Sequence, residues 1–188
     1  TRRSTMPRIA VLLTLVAATI FGAWQLAFLC DDAYIHFRYA SNLYEGKGLV
    51  WNAAPFQPVE GGGFLWILIL CAIWILFGVE PPDAANVVLI TCGVIQVLIL
   101  AAAANRLRRQ NGSLLPSAVG LCAVAAIISD RTFLQWMSSG LDTALFNVWL
   151  LAWVMLAFRS PEQRRGNWLP IWSLLAAMAA LTRPDGLP

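Results

Sequence analysis

The chain has few charged residues. Asp, Glu, Lys and Arg make up 12% of its 188 residues, whereas a soluble domain usually carries about 25%. Hydrophobic residues make up 59%, and the mean hydropathy is +0.68. The formal net charge of +3 is too small to indicate a nucleic-acid partner. The composition therefore excludes an ordinary soluble domain and favours a protein of the lipid bilayer.

Metal-binding patterns are also lacking. The cysteines show no CxxC or Cys/His spacing, and they lie within or at the end of apolar runs, where free cysteine packs as a small apolar residue. The sequence predicts no metal site and no resident cofactor, but it leaves a role for a divalent cation open. The cysteines are Cys30, Cys71, Cys92 and Cys122.

The chain is instead dominated by six apolar runs. A bilayer core of about 30 Å needs roughly 17–25 apolar residues in one helix. The sequence therefore predicts an all-α fold, a polytopic membrane helix bundle. The runs are Ile9–Leu29, Phe64–Val79, Asn86–Asn105, Leu114–Ser129, Leu141–Phe158 and Trp168–Thr182.

Arginine clusters decide the predicted topology. Short Arg-rich loops stay in the cytoplasm, and clusters lie before the first run, after the third and after the fifth. They share one side only if the run over 64–79 does not cross. We therefore predict about five spanning helices, a cytoplasmic N-terminus and a re-entrant or surface helix over 64–79. The clusters are Arg2/Arg3/Arg8, Arg106/Arg108/Arg109 and Arg159/Arg164/Arg165.

This topology places nearly all acidic residues on the external side, with Glu162 as the exception. Residues 31–63 then form an external loop that carries an interfacial helix. We expect residues 1–188 to be the N-terminal part of a larger transmembrane domain. Any chemistry is predicted on the extracytoplasmic face.

A helix is predicted at the start of the external loop. Asp31 or Asp32 supplies its N-cap, and Gly46 ends it. Its aromatic residues suit a membrane interface, so the helix should lie along the bilayer surface. Its apolar face is predicted to hold Ala33, Phe37, Ala40 and Tyr44.

The adjacent carboxylates Asp31 and Asp32 allow two interpretations. They either offset the helix macrodipole, or act as a general base or metal ligand, because unused carboxylates beside a membrane are costly. His36 lies one turn after Asp32 and is either structural or functional. Arg38 is either an anion ligand or a side chain that reaches the headgroups. The glycines over 61–63 predict either a hinge or a loop that contacts a phosphate.

The order of these segments resembles a known family. DDAYIHFRYA (31–40), GLVWN (48–52) and VEG (59–61) are similar to the first external loop of bacterial GT-C-fold glycosyltransferases. Within these, the chain most resembles the mycobacterial-type arabinofuranosyltransferases. WMSSGLDTAL (136–145) and LTRPDG (181–186) agree with the resemblance.

The resemblance implies a membrane enzyme of the bacterial plasma membrane. Such an enzyme transfers a sugar, here expected to be arabinofuranose, from a polyprenyl-phosphate donor to an arabinan-like glycan acceptor outside the membrane. An external site needs a lipid-linked donor, because nucleotide sugars do not cross the bilayer unaided. The alternatives are a transporter or flippase for lipid-linked intermediates, which the nearly uncharged mid-span positions disfavour, and a non-catalytic scaffold.

Glycosyl transfer needs a carboxylate at the reacting centre and stabilisation of the departing phosphate. Asp31 and Asp32 are the predicted catalytic residues. Trp136 is either a sugar-stacking residue or an interfacial anchor, and Arg183 with Asp185 either binds substrate or only ends a helix. The predicted substrate-binding residues are His36, Arg38, Glu60, Trp136, Asp142, Arg183 and Asp185.

Overall fold

The computed structural model of the chain describes residues 6–53, 63–111, 115–158 and 168–183. All regular secondary structure within these ranges is α-helical, which agrees with the predicted fold class. The helices are α1 (Met6–Leu26), α2 (Asp31–Tyr44), α3 (Phe64–Phe77), α4 (Pro81–Asn111), α5 (Leu115–Ser129), α6 (Arg131–Met137), α7 (Thr143–Ala157) and α8 (Trp168–Thr182).

The described residues contain fewer long helices than the predicted five spans. Only Ile9–Leu26 and Pro81–Arg106 are long and apolar enough to cross a bilayer, and a third span results if the pair Ala118–Ser129 and Arg131–Met137, bent by 72°, is counted as one. The helices α3, α7 and α8 have 14 or 15 residues. At 1.5 Å per residue they measure about 21–23 Å, short of a core of about 30 Å.

The two long helices run antiparallel. Gly93 of α4 lies beside Thr19 of α1, while Val97, four residues further along α4, belongs to a cluster with Leu15, four residues earlier in α1. The C-terminal end of α1 and the N-terminal end of α4 therefore lie at the same end of the bundle. The segment between them, which includes α2 and α3, begins and ends there.

A hydrophobic core joins this segment to α4, α6 and α7. Trp66, Ile67 and Leu70 of α3 are fully buried in it. From α2, Ala33, Phe37 and Ala40 are buried as predicted, while Tyr44 remains 46% exposed and stacks on Trp74 of α3 at 4.2 Å. The helix α2 thus buries one face against protein. That it lies along a membrane surface stays a prediction.

The predicted stop of α2 at Gly46 is confirmed. Gly46 has a φ of 75°, in the left-handed region that glycine adopts without a steric penalty. Its N–H donates to the Leu43 carbonyl at 3.1 Å, and the N–H of Lys47 donates to the Asn42 carbonyl at 2.8 Å. These two bonds form a Schellman motif, which satisfies carbonyls that the helix end leaves open.

The outer helix faces are apolar. Leu13 and Phe21 of α1 and Leu76 and Phe77 of α3 are each more than 60% exposed. Soluble monomers rarely expose contiguous apolar surface on this scale. The exposed faces agree with a helical protein whose outer surface contacts lipid.

Candidate functional site

The acidic pair lies in the first turn of α2. Cys30 is the N-cap residue, and the helix begins at Asp31, so the predicted N-cap at Asp31 or Asp32 is wrong. The physical reason is a long-range contact: the Cys30 N–H donates to the Ser139 carbonyl at 3.0 Å and fixes the chain one residue earlier. Both carboxylates are exposed, and the helix macrodipole favours negative charge in this turn.

His36 lies one turn further along α2 and is 9% exposed. Its Nε2 accepts a hydrogen bond of 3.3 Å from the N–H of Gly63, the residue before α3. Burial lowers the pKa of His36 below its ordinary value of 6.5, and the backbone and charge of Asp32 oppose this shift to a smaller extent. His36 therefore joins α2 to the start of α3, and its predicted role in substrate binding stays a prediction.

Gly63 is enclosed on its other side by α7 and α8. A Cβ atom at this position would overlap Oδ2 of Asp142 and the backbone carbonyl oxygen of Thr182. Only a residue without a side chain allows this approach. The start of α3 is therefore held between the carboxylate before α7 and the last turn of α8.

Asp142 supplies that carboxylate. It is 7% exposed and occupies the N-cap position of α7, but its side chain makes no capping hydrogen bond. Burying a carboxylate costs several kcal/mol unless other groups compensate its charge. A hydrogen bond from a backbone N–H at the start of α7 is a common form of compensation, but the Asp142 side chain does not cap the helix. The side chain instead lies against Gly63. We call the group Asp32, His36, Gly63, Asp142 and Thr182 the polar cluster.

A tight turn before Asp142 brings α2 to this cluster. Gly140 has a φ of 84°, and a Cβ there would lie 2.8 Å from Cβ of Ala33 and 2.8 Å from Cδ2 of Leu29. Its carbonyl accepts a 3.2 Å hydrogen bond from the indole N–H of Trp66 in α3. Residues 138–142, which precede α7, therefore contact both the start of α2 and the start of α3.

Arg38 holds the chain that follows α2. Its Nε donates to the Trp51 carbonyl at 2.8 Å and its Nη2 to Oδ1 of Asn52 at 2.7 Å. Its guanidinium also lies 4.5 Å from the centroid of the Trp51 ring. Nδ2 of Asn42 donates to the Val50 carbonyl at 2.7 Å. The GLVWN segment is thus folded back along α2, and Arg38 has a structural use beside its predicted role as an anion ligand.

Of the remaining predicted substrate-binding residues, the structure describes two, Arg183 and Trp136. Arg183 follows α8 directly after Thr182, with its guanidinium carbon 6.0 Å from the centroid of the Phe146 ring. Trp136 is 51% exposed on α6 and packs edge-on against Phe28 at 6.1 Å, outside the polar cluster. Glu60 and Asp185 lie outside the described residues.

Metal ligands do not converge in the part of the chain that the structure describes, which holds no group of three or more His, Cys, Asp or Glu side chains suited to an ion. The polar cluster offers carboxylates, a neutral imidazole and backbone groups. Sequence reasoning missed the roles of Gly63, Gly140 and Thr182, since each depends on an approach between segments far apart in sequence. The signals present were the glycine run over 61–63 and the Ser-Ser-Gly turn.

Comparison with curated proteins finds a distant relative of this chain. The terminal beta-(1->2)-arabinofuranosyltransferase of Mycobacterium tuberculosis (strain ATCC 25618 / H37Rv) is 23% identical over 193 residues, an alignment that covers 96% of this chain and 30% of the relative. The chain thus spans less than a third of the relative's length. No protein-family profile and no solved structure matches the chain. The chain is distantly similar to a glycosyltransferase over almost all of its residues.

Proposed function

We propose that this chain is part of a membrane glycosyltransferase that uses a polyprenyl-phosphate sugar and acts on the extracytoplasmic side of a bacterial plasma membrane. The sugar proposed is arabinofuranose, and the acceptor is a glycan of the cell envelope. The observation that carries the proposal is the polar cluster, which gathers separate segments of an otherwise apolar bundle. Three of these segments lie within the motifs that resemble arabinofuranosyltransferases.

Glycosyl transfer needs a base, groups that hold the sugar and a positive charge near the departing phosphate, and we propose a residue for each. The bond from the anomeric carbon to the phosphate oxygen breaks, a bond to an acceptor hydroxyl oxygen forms, and the hydroxyl proton goes to a carboxylate. Asp31 or Asp32 is the proposed base, because both are exposed and reachable. Asp142 is proposed to bind sugar hydroxyls. Arg183, near the same end of α7, is proposed to stabilise the departing phosphate.

The proposed orientation follows from the antiparallel α1 and α4. If α3 crossed the bilayer alone between them, the ends of α1 and α4 that it joins would lie on opposite sides. They lie at the same end of the bundle, which supports a re-entrant or surface role for α3. The same pairing brings the backbone at Arg8 and at Arg106 to one end, and the positive-inside rule assigns that end to the cytoplasm.

Cysteine labelling tests this orientation. A cysteine placed at position 83 should react with a membrane-impermeant maleimide in intact cells, and one at position 110 should react only after the cells are opened. Labelling of position 110 in intact cells would contradict an external polar cluster.

Transfer assays test the function. The full-length protein in nanodiscs is given decaprenyl-phosphoryl-arabinose, as the polyprenyl-phosphate sugar, and an arabinan oligosaccharide. Asp31→Asn or Asp32→Asn should lower the transfer rate by about 10²- to 10⁴-fold, the usual contribution of a general base. Asp83→Asn is the matched control, because Asp83 is also an exposed carboxylate in the first turn of a helix, α4.

The control should transfer sugar within about twofold of the unaltered protein. Undiminished transfer by both Asp31→Asn and Asp32→Asn, in protein that elutes as the folded form, would contradict the carboxylate assignment. Failure of the unaltered protein to transfer any polyprenyl-phosphate sugar would contradict the proposed function itself.

A further inference from the structure

His36 connects α2 to the beginning of α3. Its Nε2 accepts the Gly63 N–H at 3.3 Å, across 27 positions of sequence. The side chain is buried, whereas Asp31 and Asp32, five and four residues earlier, are exposed. The imidazole therefore faces the protein, away from the surface where a phosphate group would arrive.

The hydrogen bond defines the state of the ring. A ring nitrogen that accepts a hydrogen bond must carry a lone pair, so Nε2 is unprotonated and the proton of the neutral imidazole is on Nδ1. Burial favours the same neutral form over the charged one. Two independent features of the site thus agree that the ring is an acceptor.

Gly63 transmits this contact to Asp142. Its N–H is held by His36, and its α-carbon fits against the Asp142 carboxylate and the Thr182 carbonyl without room for a methyl group. A shift of the Gly63 backbone therefore displaces Asp142 or opens a gap beside it, since packed interiors have few alternative arrangements.

We propose that neutral His36 is a positioning residue which, through Gly63, sets the placement of the Asp142 carboxylate relative to the acidic first turn of α2. The proposal rests on the proposed function, because it assumes that these carboxylates act on one substrate. It assigns His36 no contact with donor or acceptor. A misplacement of about 1 Å in such a site lowers a rate by about a hundredfold.

Three substitutions at position 36 test the proposal in full-length protein. In His36→Gln the amide oxygen reaches the place of Nε2 and accepts the same N–H, whereas the shorter side chain of His36→Asn does not. His36→Leu fills the space without an acceptor. We expect His36→Gln to keep kcat within about threefold, and the other two to lose about 10- to 100-fold in kcat, with the donor KM changed less than threefold.

Two outcomes would overturn the positioning role. One is a kcat in His36→Gln as low as in His36→Leu. The other is a donor KM raised more than tenfold in all three variants, which indicates a phosphate ligand. The Gln and Asn variants carry the same amide, so their comparison holds even if the Leu variant does not fold.

A spectroscopic readout is independent of transfer. In protein labelled with ¹⁵N-histidine, the signals lost in His36→Gln belong to His36. They should show an unprotonated Nε2 and a protonated Nδ1 at pH 7.5. A doubly protonated ring would contradict the proposal even in a protein that transfers sugar. Absence of transfer with the expected ring state would instead contradict the proposed function alone.

Discussion

Two aspartates begin neighbouring helices in this chain, and their side chains have opposite uses. Asp130 is the N-cap of α6, and its carboxylate accepts the Phe133 N–H at 2.6 Å. Asp142 is the N-cap residue of α7 but makes no such bond, and its side chain lies buried against Gly63. Asp130 is exposed, whereas Asp142 is 7% exposed. The first carboxylate thus stabilises its own helix, and the second faces a site between helices.

The structure thus separates two aspartates that their sequence positions do not distinguish. A capping carboxylate gains about 1 kcal/mol for its helix. A buried carboxylate that gives up the cap must be compensated elsewhere, and such groups concentrate where a protein binds or reacts. The α5–α6 corner around Asp130 is therefore a structural control within the molecule for the turn before α7.

The largest expected effect is on transfer. Asp142→Asn removes the charge with little change in shape, and we expect the transfer rate to fall by about 100-fold, equivalent to about 2.7 kcal/mol of transition-state stabilisation. Asp130→Asn keeps a good N-cap and should stay within about twofold. Initial rates of both variants in the same nanodisc preparation measure the difference. Similar transfer rates for the two variants would contradict the claim that Asp142, but not Asp130, takes part in transfer.

The next largest effect is expected on the free energy of unfolding, from a substitution in the tightly packed backbone at Gly63. Gly63→Ala adds a methyl group where Asp142 and Thr182 already lie, and we expect about 2–3 kcal/mol of destabilisation from overpacking. Gly46→Ala is the comparison, because Gly46 has open space but a positive φ, and left-handed backbone should cost about 1 kcal/mol. Unfolding in detergent, followed by circular dichroism, measures both. A Gly63→Ala variant as stable as the unaltered protein would show that α3 can move away from Asp142.

Arg38 should have a smaller effect. Arg38→Ala removes two hydrogen bonds and the contact with the Trp51 ring, and we expect about 1–2 kcal/mol lower stability. Lys47→Ala removes an exposed ion pair with Glu45 and should leave the stability almost unchanged, because water screens such pairs. Equal stabilities of the two variants would contradict a structural role for Arg38 in holding residues 48–52.

The smallest effect concerns pH. Because the pKa of His36 is lowered in the folded protein, its contribution to stability is complete above pH 6.5 and is lost as the pH falls from there through the folded pKa. The slope for one proton is at most about 1.4 kcal/mol per pH unit. Unfolding midpoints between pH 7.5 and 5.5 should fall less in His36→Gln than in the unaltered protein. A steeper fall in the variant would reverse the predicted sign.

Local signals predicted most of the helices. A helix overlaps each of the six apolar runs, and the stop at Gly46 follows from the conformational preference of glycine. The helix α6 was not predicted, because seven residues are too few for a recognisable period. The number of spans was overestimated, since hydropathy does not show that the helices α7 and α8 are only 15 residues long.

The sequence suggested candidate residues for the polar cluster but not their arrangement, and their functional roles stay predictions. Asp32, His36 and Asp142 were selected by residue type and by resemblance. The contact of His36 with Gly63 and the approach of Asp142 to Gly63 depend on tertiary packing across tens of residues. The N-cap at Cys30 was missed for the same reason, because the Ser139 carbonyl that fixes it lies more than a hundred residues away.

Photolabelling tests most directly whether the turn before α7, and not the corner before α6, faces the substrate. A polyprenyl-phosphate arabinose analogue with a diazirine on the sugar is bound to the full-length protein and irradiated, and labelled peptides are mapped by mass spectrometry. The predicted labels lie within residues 31–38 or 140–143 and are reduced by unlabelled donor. Competable labelling confined to residues 129–135 would contradict the assignment of the polar cluster as the transfer site.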